Sequence, residues 1–119
     1  MRSMSNAQRV IERYYELLAA GDIDNLLAMY TDDAEIIRYD GVADTPDEMR
    51  AYFRQHLERH PGLRLHQIDR IREADDILMW DAMLDTDNGL AQVVHVAVLD
   101  DDGRFRRHIP GLRGYWGGG

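Results

Sequence analysis

Residues 77–99 read ILMWDAMLDTDNGLAQVVHVAVL. Asn88-Gly89 is a strong hairpin signal, because both central positions of the tight hairpin turn need positive φ. On either side, apolar side chains recur at every second position, the period of a strand. The stretch therefore predicts two antiparallel strands, 77–86 and 90–99. With Asn88-Gly89 as a two-residue turn, Asp87 faces Leu90, Leu84 faces Val93, Ala82 faces His95 and Trp80 faces Ala97.

The pattern continues on both sides. Asp100-Asp101-Asp102-Gly103 is a second tight turn, and residues 64–74 and 104–116 read as further strands. A four-residue turn at 100–103 pairs Leu99 with Arg104, so that His95 faces His108 and Val93 faces Pro110. One face of the sheet then collects Leu78, Trp80, Ala82, Leu84, Val93, His95, Ala97, His108, Leu112 and Trp116. The other collects Met79, Met83, Val94, Val96, Val98, Phe105 and Ile109. Both faces are largely apolar.

Upstream the period changes. Ser5 can cap a helix to about Ala20, with Val10, Ile11, Tyr14, Leu17 and Leu18 on one face and Gly21 as its stop. Asp22 or Asp24 caps a short second helix carrying Leu26, Leu27 and Tyr30. Residues 34–40 read as a strand, with Gly41 opening a loop. Thr45-Pro46-Asp47-Glu48 starts a third helix, with Met49, Tyr52, Phe53 and Leu57 inward and Pro61-Gly62 as its end. The expected fold is α+β: three N-terminal helices, then an antiparallel meander. Three helices cover only one sheet face. The other is expected to pair with a second copy in a homodimer.

The 119 residues suit one domain spanning 1–119, with 1–4 and 117–119 as loose ends. Fourteen basic against 22 acidic residues leave a net charge of −8 and a pI near 4.9, so no nucleic-acid or anionic-membrane partner is expected. The absence of cysteine excludes disulfides, thiolate catalysis and Cys-type zinc or iron–sulfur sites. No signal-peptide pattern and no membrane-length apolar run occurs, so the expected address is cytoplasmic.

The stretch from Glu12 to Asp24 (ERYYELLAAGDID), Tyr30-Thr31-Asp32-Asp33-Ala34, and the closing Leu112-Arg113-Gly114-Tyr115-Trp116-Gly117 resemble the ketosteroid isomerase-like, SnoaL-like branch of the nuclear transport factor 2-like superfamily. The resemblance covers nearly the whole chain. It implies a cone: a strongly curved sheet wrapped on helices around an apolar cavity. It also implies site residues. Tyr14 matches the family's cavity tyrosine, a hydrogen-bond donor to a substrate carbonyl oxygen. His95 falls where ketosteroid isomerases keep a second donor, a protonated aspartic acid. Trp116 falls on an aromatic wall position. The family's catalytic base is an aspartate at the end of the first strand. Arg38 stands there in ungapped register, and Asp40 two residues on. The acid of the epoxide-hydrolase relatives is replaced by Gly114.

The expected catalytic set is thus Tyr14, Asp40 and His95. A cavity lined by Arg38, Tyr52, Phe53, Trp80, Leu84, His108 and Trp116 would bind the substrate. Each residue also has a plain structural reading: Tyr14 and His95 as satisfied core groups, Asp40 as a turn aspartate, Arg38 as a surface residue. His56 and His60 read as a solvated helix face, and Asp100–Gly103 as a turn lacking the calcium-loop glutamate. No metal and no cofactor is implied. Two functions follow. One is an isomerase- or lyase-type enzyme moving a proton on a small apolar carbonyl, polycyclic, polyketide- or steroid-like compound. The other is a non-catalytic ligand-binding or assembly domain.

Overall fold

A computed structural model describes residues 4–116, with side chains from Asn6 to Gly114. The loose ends expected at 1–3 and 117–119 lie outside the described residues, whereas Met4 already belongs to the first helix. Helix α1 (Met4–Ala20) turns Ala7, Ile11, Tyr14, Tyr15 and Leu18 inward, a stripe one turn apart. It ends where Gly21 takes φ +69°, so that Gly21 N–H donates to Leu18 O (3.1 Å) and Asp22 N–H to Leu17 O (2.9 Å). Asp22, rather than Asp24, then caps α2 (Ile23–Ala28), its Oδ1 accepting from Asn25 N–H at 3.3 Å. Helix α3 (Pro46–Arg59) is capped by Thr45 and buries Met49, Tyr52 and Phe53. No described helix is long and apolar enough to cross a membrane.

The strands are β1 (Tyr30–Arg38), β2 (Gly41–Ala43), β3 (Arg64–Ala74), β4 (Ile77–Thr86), β5 (Gly89–Leu99), β6 (Phe105–Ile109) and β7 (Leu112–Trp116). They form one curved, unclosed sheet in the order β2-β1-β6-β5-β4-β3, and β7 follows β6 along the same edge of β5. The three helices and curved sheet are those expected. The sheet is mixed rather than wholly antiparallel, because β1 runs parallel to β6.

Three local expectations are corrected. Tyr30 opens β1 instead of closing α2, and β1 stops at Arg38, so Asp40 sits in the two-residue turn to β2. The β4–β5 turn is Asp87-Asn88, with Thr86 opposite Gly89 and Trp80 opposite His95. Thr86 Oγ1 sets this register: it donates to Gly89 O (2.8 Å) and accepts from Asn88 N–H (3.1 Å). The last predicted strand is two strands, parted at Pro110-Gly111, where Val94 N–H donates to Gly111 O at 2.9 Å.

The register slip at the first hairpin is two places, so every side chain keeps its face. Leu78, Trp80, Ala82, Leu84, Val93, His95, Ala97 and His108 are buried as expected. At the second hairpin Asp100 carries the turn, its Oδ1 accepting from Asp102 and Arg104 N–H. Ala97 faces His108 and Leu99 faces Phe105, leaving Arg106 as an extra residue. That bulge turns Phe105 inward, fully buried, against its expected place on the outer face. Leu112, expected inward, is 59% exposed beyond the Pro110-Gly111 break.

Candidate active site

A pocket of about 210 Å³ opens where four parts of the fold meet. The second half of α3 supplies Tyr52, His56, Arg59 and His60. The β1–β2 turn supplies Arg38 and Asp40. The inner faces of β4 and β5 supply Leu84, Thr86, Ala91, Val93 and His95, and the β6–β7 break supplies Pro110, Gly111 and Leu112. The floor is apolar strand and the rim is polar, the usual form of a small-molecule site.

His95 joins this pocket to the core. Trp80 lies opposite it across β4–β5, and the two rings stand 4.9 Å apart. On the next strand His108 is its diagonal neighbour, opposite Ala97, and His95 Nδ1 lies 2.8 Å from His108 Nε2. On its other side, His108 Nδ1 lies 2.7 Å from the hydroxyl of Tyr30, the first residue of β1. Tyr30, His108 and His95 thus form one buried chain from the start of β1 to the pocket wall.

Burial decides the protonation state of each link. It raises the hydroxyl pKa values of Tyr14 and Tyr30 well above the usual range, so both keep their protons. It pushes His108 down to about 3, and His95 well below its ordinary value, with His108 adding to the effect. Both imidazoles are therefore neutral, with one N–H each. The protonated Tyr30 hydroxyl donates to His108 Nδ1. His108 must then carry its proton on Nε2 and donate to His95 Nδ1. That leaves His95 with its proton on Nε2, the ring nitrogen turned from His108. His95, its Nδ1 engaged by His108, also lines the pocket.

At the mouth, Arg38 Nη1 stands 3.4 Å from Asp40 Oδ1, and its Cζ lies 4.9 Å from the centre of the Tyr52 ring. Burial raises the Tyr52 hydroxyl to about 12, the nearby guanidinium opposing the rise. His56 stacks on Tyr52 at 5.8 Å, and burial pushes its pKa down to about 4.

The pocket wall therefore brings together Arg38, Asp40, Tyr52, Leu84 and His95 from the expected set. Tyr14, Phe53, Trp80 and His108 do not line it. They pack behind His95 as a nearly water-free aromatic cluster, with Tyr14 5.4 Å from His108 and 6.5 Å from Phe53 between ring centres. Trp116 lies opposite Leu90 in β7, and its side chain falls outside the described residues. His56 and His60, expected on a solvated helix face, line the pocket instead. The signal was their spacing: His56 follows Tyr52 by four residues and Phe53 by three, which places it on the inward face of α3. Tyr30 was missed as a polar link because it was read into a helix.

Residues 11–108 match the SnoaL-like domain family model. Among solved structures, a SnoaL-like protein of unknown function from Burkholderia thailandensis superposes with a TM-score of 0.78 at 17% identity, over 96% of this chain and 100% of that one. A protein from Sphaerobacter thermophilus gives 0.71 at 20% identity, over 88% and 94%. A SnoaL-like family member from Agrobacterium tumefaciens, provisionally described as an isomerase, gives 0.76 at 14% identity, over 93% and 100%. No curated protein matches the sequence.

Proposed function

The chain belongs to the SnoaL-like domain family, and we propose that it binds a compact carbonyl compound beside His95 and moves a proton on it. The observation that carries this reading is the Tyr30–His108–His95 chain, which engages Nδ1 of His95 and leaves Nε2 of this pocket-lining residue for a ligand. A donor held this way needs no reorganisation as charge develops on the carbonyl oxygen. Asp40, on the pocket rim, takes a proton from the carbon next to the carbonyl. The C–H electron pair forms the enolate, its oxygen is held by His95 Nε2–H, and the protonated Asp40 returns the proton to the substrate. Tyr30 acts through His108 as a positioning residue. The pocket volume of about 210 Å³ is below the roughly 300–1,000 Å³ of sites for drug-sized ligands. A one- or two-ring ligand fits that volume better than a steroid.

A binding-only function is favoured by one observation: the Asp40 side chain is 72% exposed and paired with Arg38. Solvent deuterium exchange separates the two. In D₂O, the protein should speed exchange at the α-carbon of a compact cyclic ketone such as tetralone, followed by NMR. Asp40→Asn should abolish the acceleration while binding persists. His95→Phe should reduce it by about 10²–10³-fold, the usual cost of one oxyanion donor. Exchange that survives Asp40→Asn rules out Asp40 as the base, and wild-type exchange no faster than buffer makes the protein a binder.

A further inference from the structure

We infer that the pocket takes carbonyl compounds that also carry a carboxylate, clamped side-on by Arg38. The inference rests on the carbonyl-binding reading of His95 and adds the second anchor point of the ligand. The chain as a whole is acidic, with a net charge of −8. Its pocket reverses that balance: among the described lining residues, Arg38 and Arg59 stand against the one carboxylate of Asp40. The three lining histidines add no negative charge. An acidic protein that gathers two guanidinium groups around a small cavity selects for anions there.

Arg38 itself specifies the geometry. A guanidinium has two hydrogen-bonding edges. Its Nη1 is turned to Asp40 at 3.4 Å, and its plane is braced by the ring of Tyr52. Its Nε–H, by contrast, is shielded from solvent and has no hydrogen-bond partner. A buried charged donor left unpaired is costly, and such groups are normally satisfied. Nε–H and the adjacent Nη2–H form the fork that matches two carboxylate oxygens in parallel. With Nη1 already engaged, that edge is the one left for a ligand. The carbonyl oxygen of the same ligand then falls to His95 Nε2–H, on the strand wall of the same pocket. The substrate class is a small oxo acid with an apolar body lying on Leu84, Ala91 and Val93.

Phenylpyruvate, its methyl ester and phenylethylphosphonate serve as probes, with binding followed by the fluorescence of buried Trp80, beside His95. Wild-type protein should bind the acid at least about tenfold more tightly than the ester, a difference of about 1.4 kcal/mol. Arg38→Met should remove that preference with the circular dichroism spectrum unchanged, and Arg38→Lys should restore only part of it. The phosphonate should bind more weakly than the acid, since it can engage the fork but has no carbonyl for His95. The proposal is overturned by an ester that binds as well as the acid, by a preference that survives Arg38→Met, or by no saturable acid binding at millimolar concentration. His95→Phe reports on the carbonyl site separately: it should weaken acid and ester equally. If it changes neither while Arg38→Met still abolishes the acid preference, the carboxylate clamp stands and the carbonyl reading falls.

Discussion

Two buried histidines are held uncharged by the fold. His108 and His56 have pKa values pushed down to about 3 and about 4, chiefly by burial, against 6.5 for an exposed imidazole. Each therefore binds a proton more readily in the unfolded chain than in the folded one. The sign follows from linkage: stability is complete above pH 6.5 and is lost as pH falls toward those folded values. Asp22 and Asp100, whose carboxyls are held below their ordinary 3.8 by hydrogen bonds, add their loss only at lower pH. Urea midpoints should thus already fall between neutral pH and about pH 5. A midpoint flat across that interval would mean that the histidines are solvated in the native state. The sequence placed His95 and His108 on one buried face. It did not show that Tyr30 would hold the far nitrogen of His108, because that contact spans 78 residues.

Turns decide how the elements meet. Gly62 closes α3 with φ +74°, and a β-carbon there would stand 2.2 Å from Oδ1 of Asp87. Asp87 N–H in turn donates to Pro61 O at 2.8 Å, so the end of α3 is tied to the β4–β5 turn. Asp87 can swing away, but the left-handed backbone cannot be relieved. Gly62→Ala should therefore cost about 1–2 kcal/mol of unfolding free energy, and Gly62→Asn less. Chemical denaturation measures both, and an unchanged Gly62→Ala stability would refute the turn's role. Pro61-Gly62 was legible as a helix stop from composition alone. The slip of the Asn88-Gly89 hairpin was not, because the Thr86 hydroxyl overrides the preferred turn.

The outer face of the sheet is left without cover by the three helices. Ile77, Met79 and Ile109 are 40%, 41% and 45% exposed, and Val94, Val96 and Val98 lie half-buried between them. We propose that a second copy covers this stripe through a two-fold contact, since a self-complementary apolar face buries itself at no cost in new sequence. Light scattering should give twice the chain mass of 13.8 kDa, and Val96→Asp should yield monomer or aggregate. A wild-type monomer at micromolar concentration would end the proposal.

The amino-acid sequence by itself determined the three helices, the face of most strand residues and the family. These depend on periods of 2 and 3.6 and on capping chemistry, which are local properties that survive a register slip of two. Only the tertiary structure decided which side chains touch. A slip of two leaves His95 buried yet exchanges its neighbours, and one bulge at Arg106 moves Phe105 from the outer face to the core. The β1–β2 turn ends one strand two residues early and so sets Arg38 and Asp40 together on a pocket rim. The parallel pairing of β1 with β6 brings Tyr30 to His108 and so ties β1 to His95 on the pocket wall. Such contacts depend on the sum of all registers and turns, and no single stretch of sequence contains that sum.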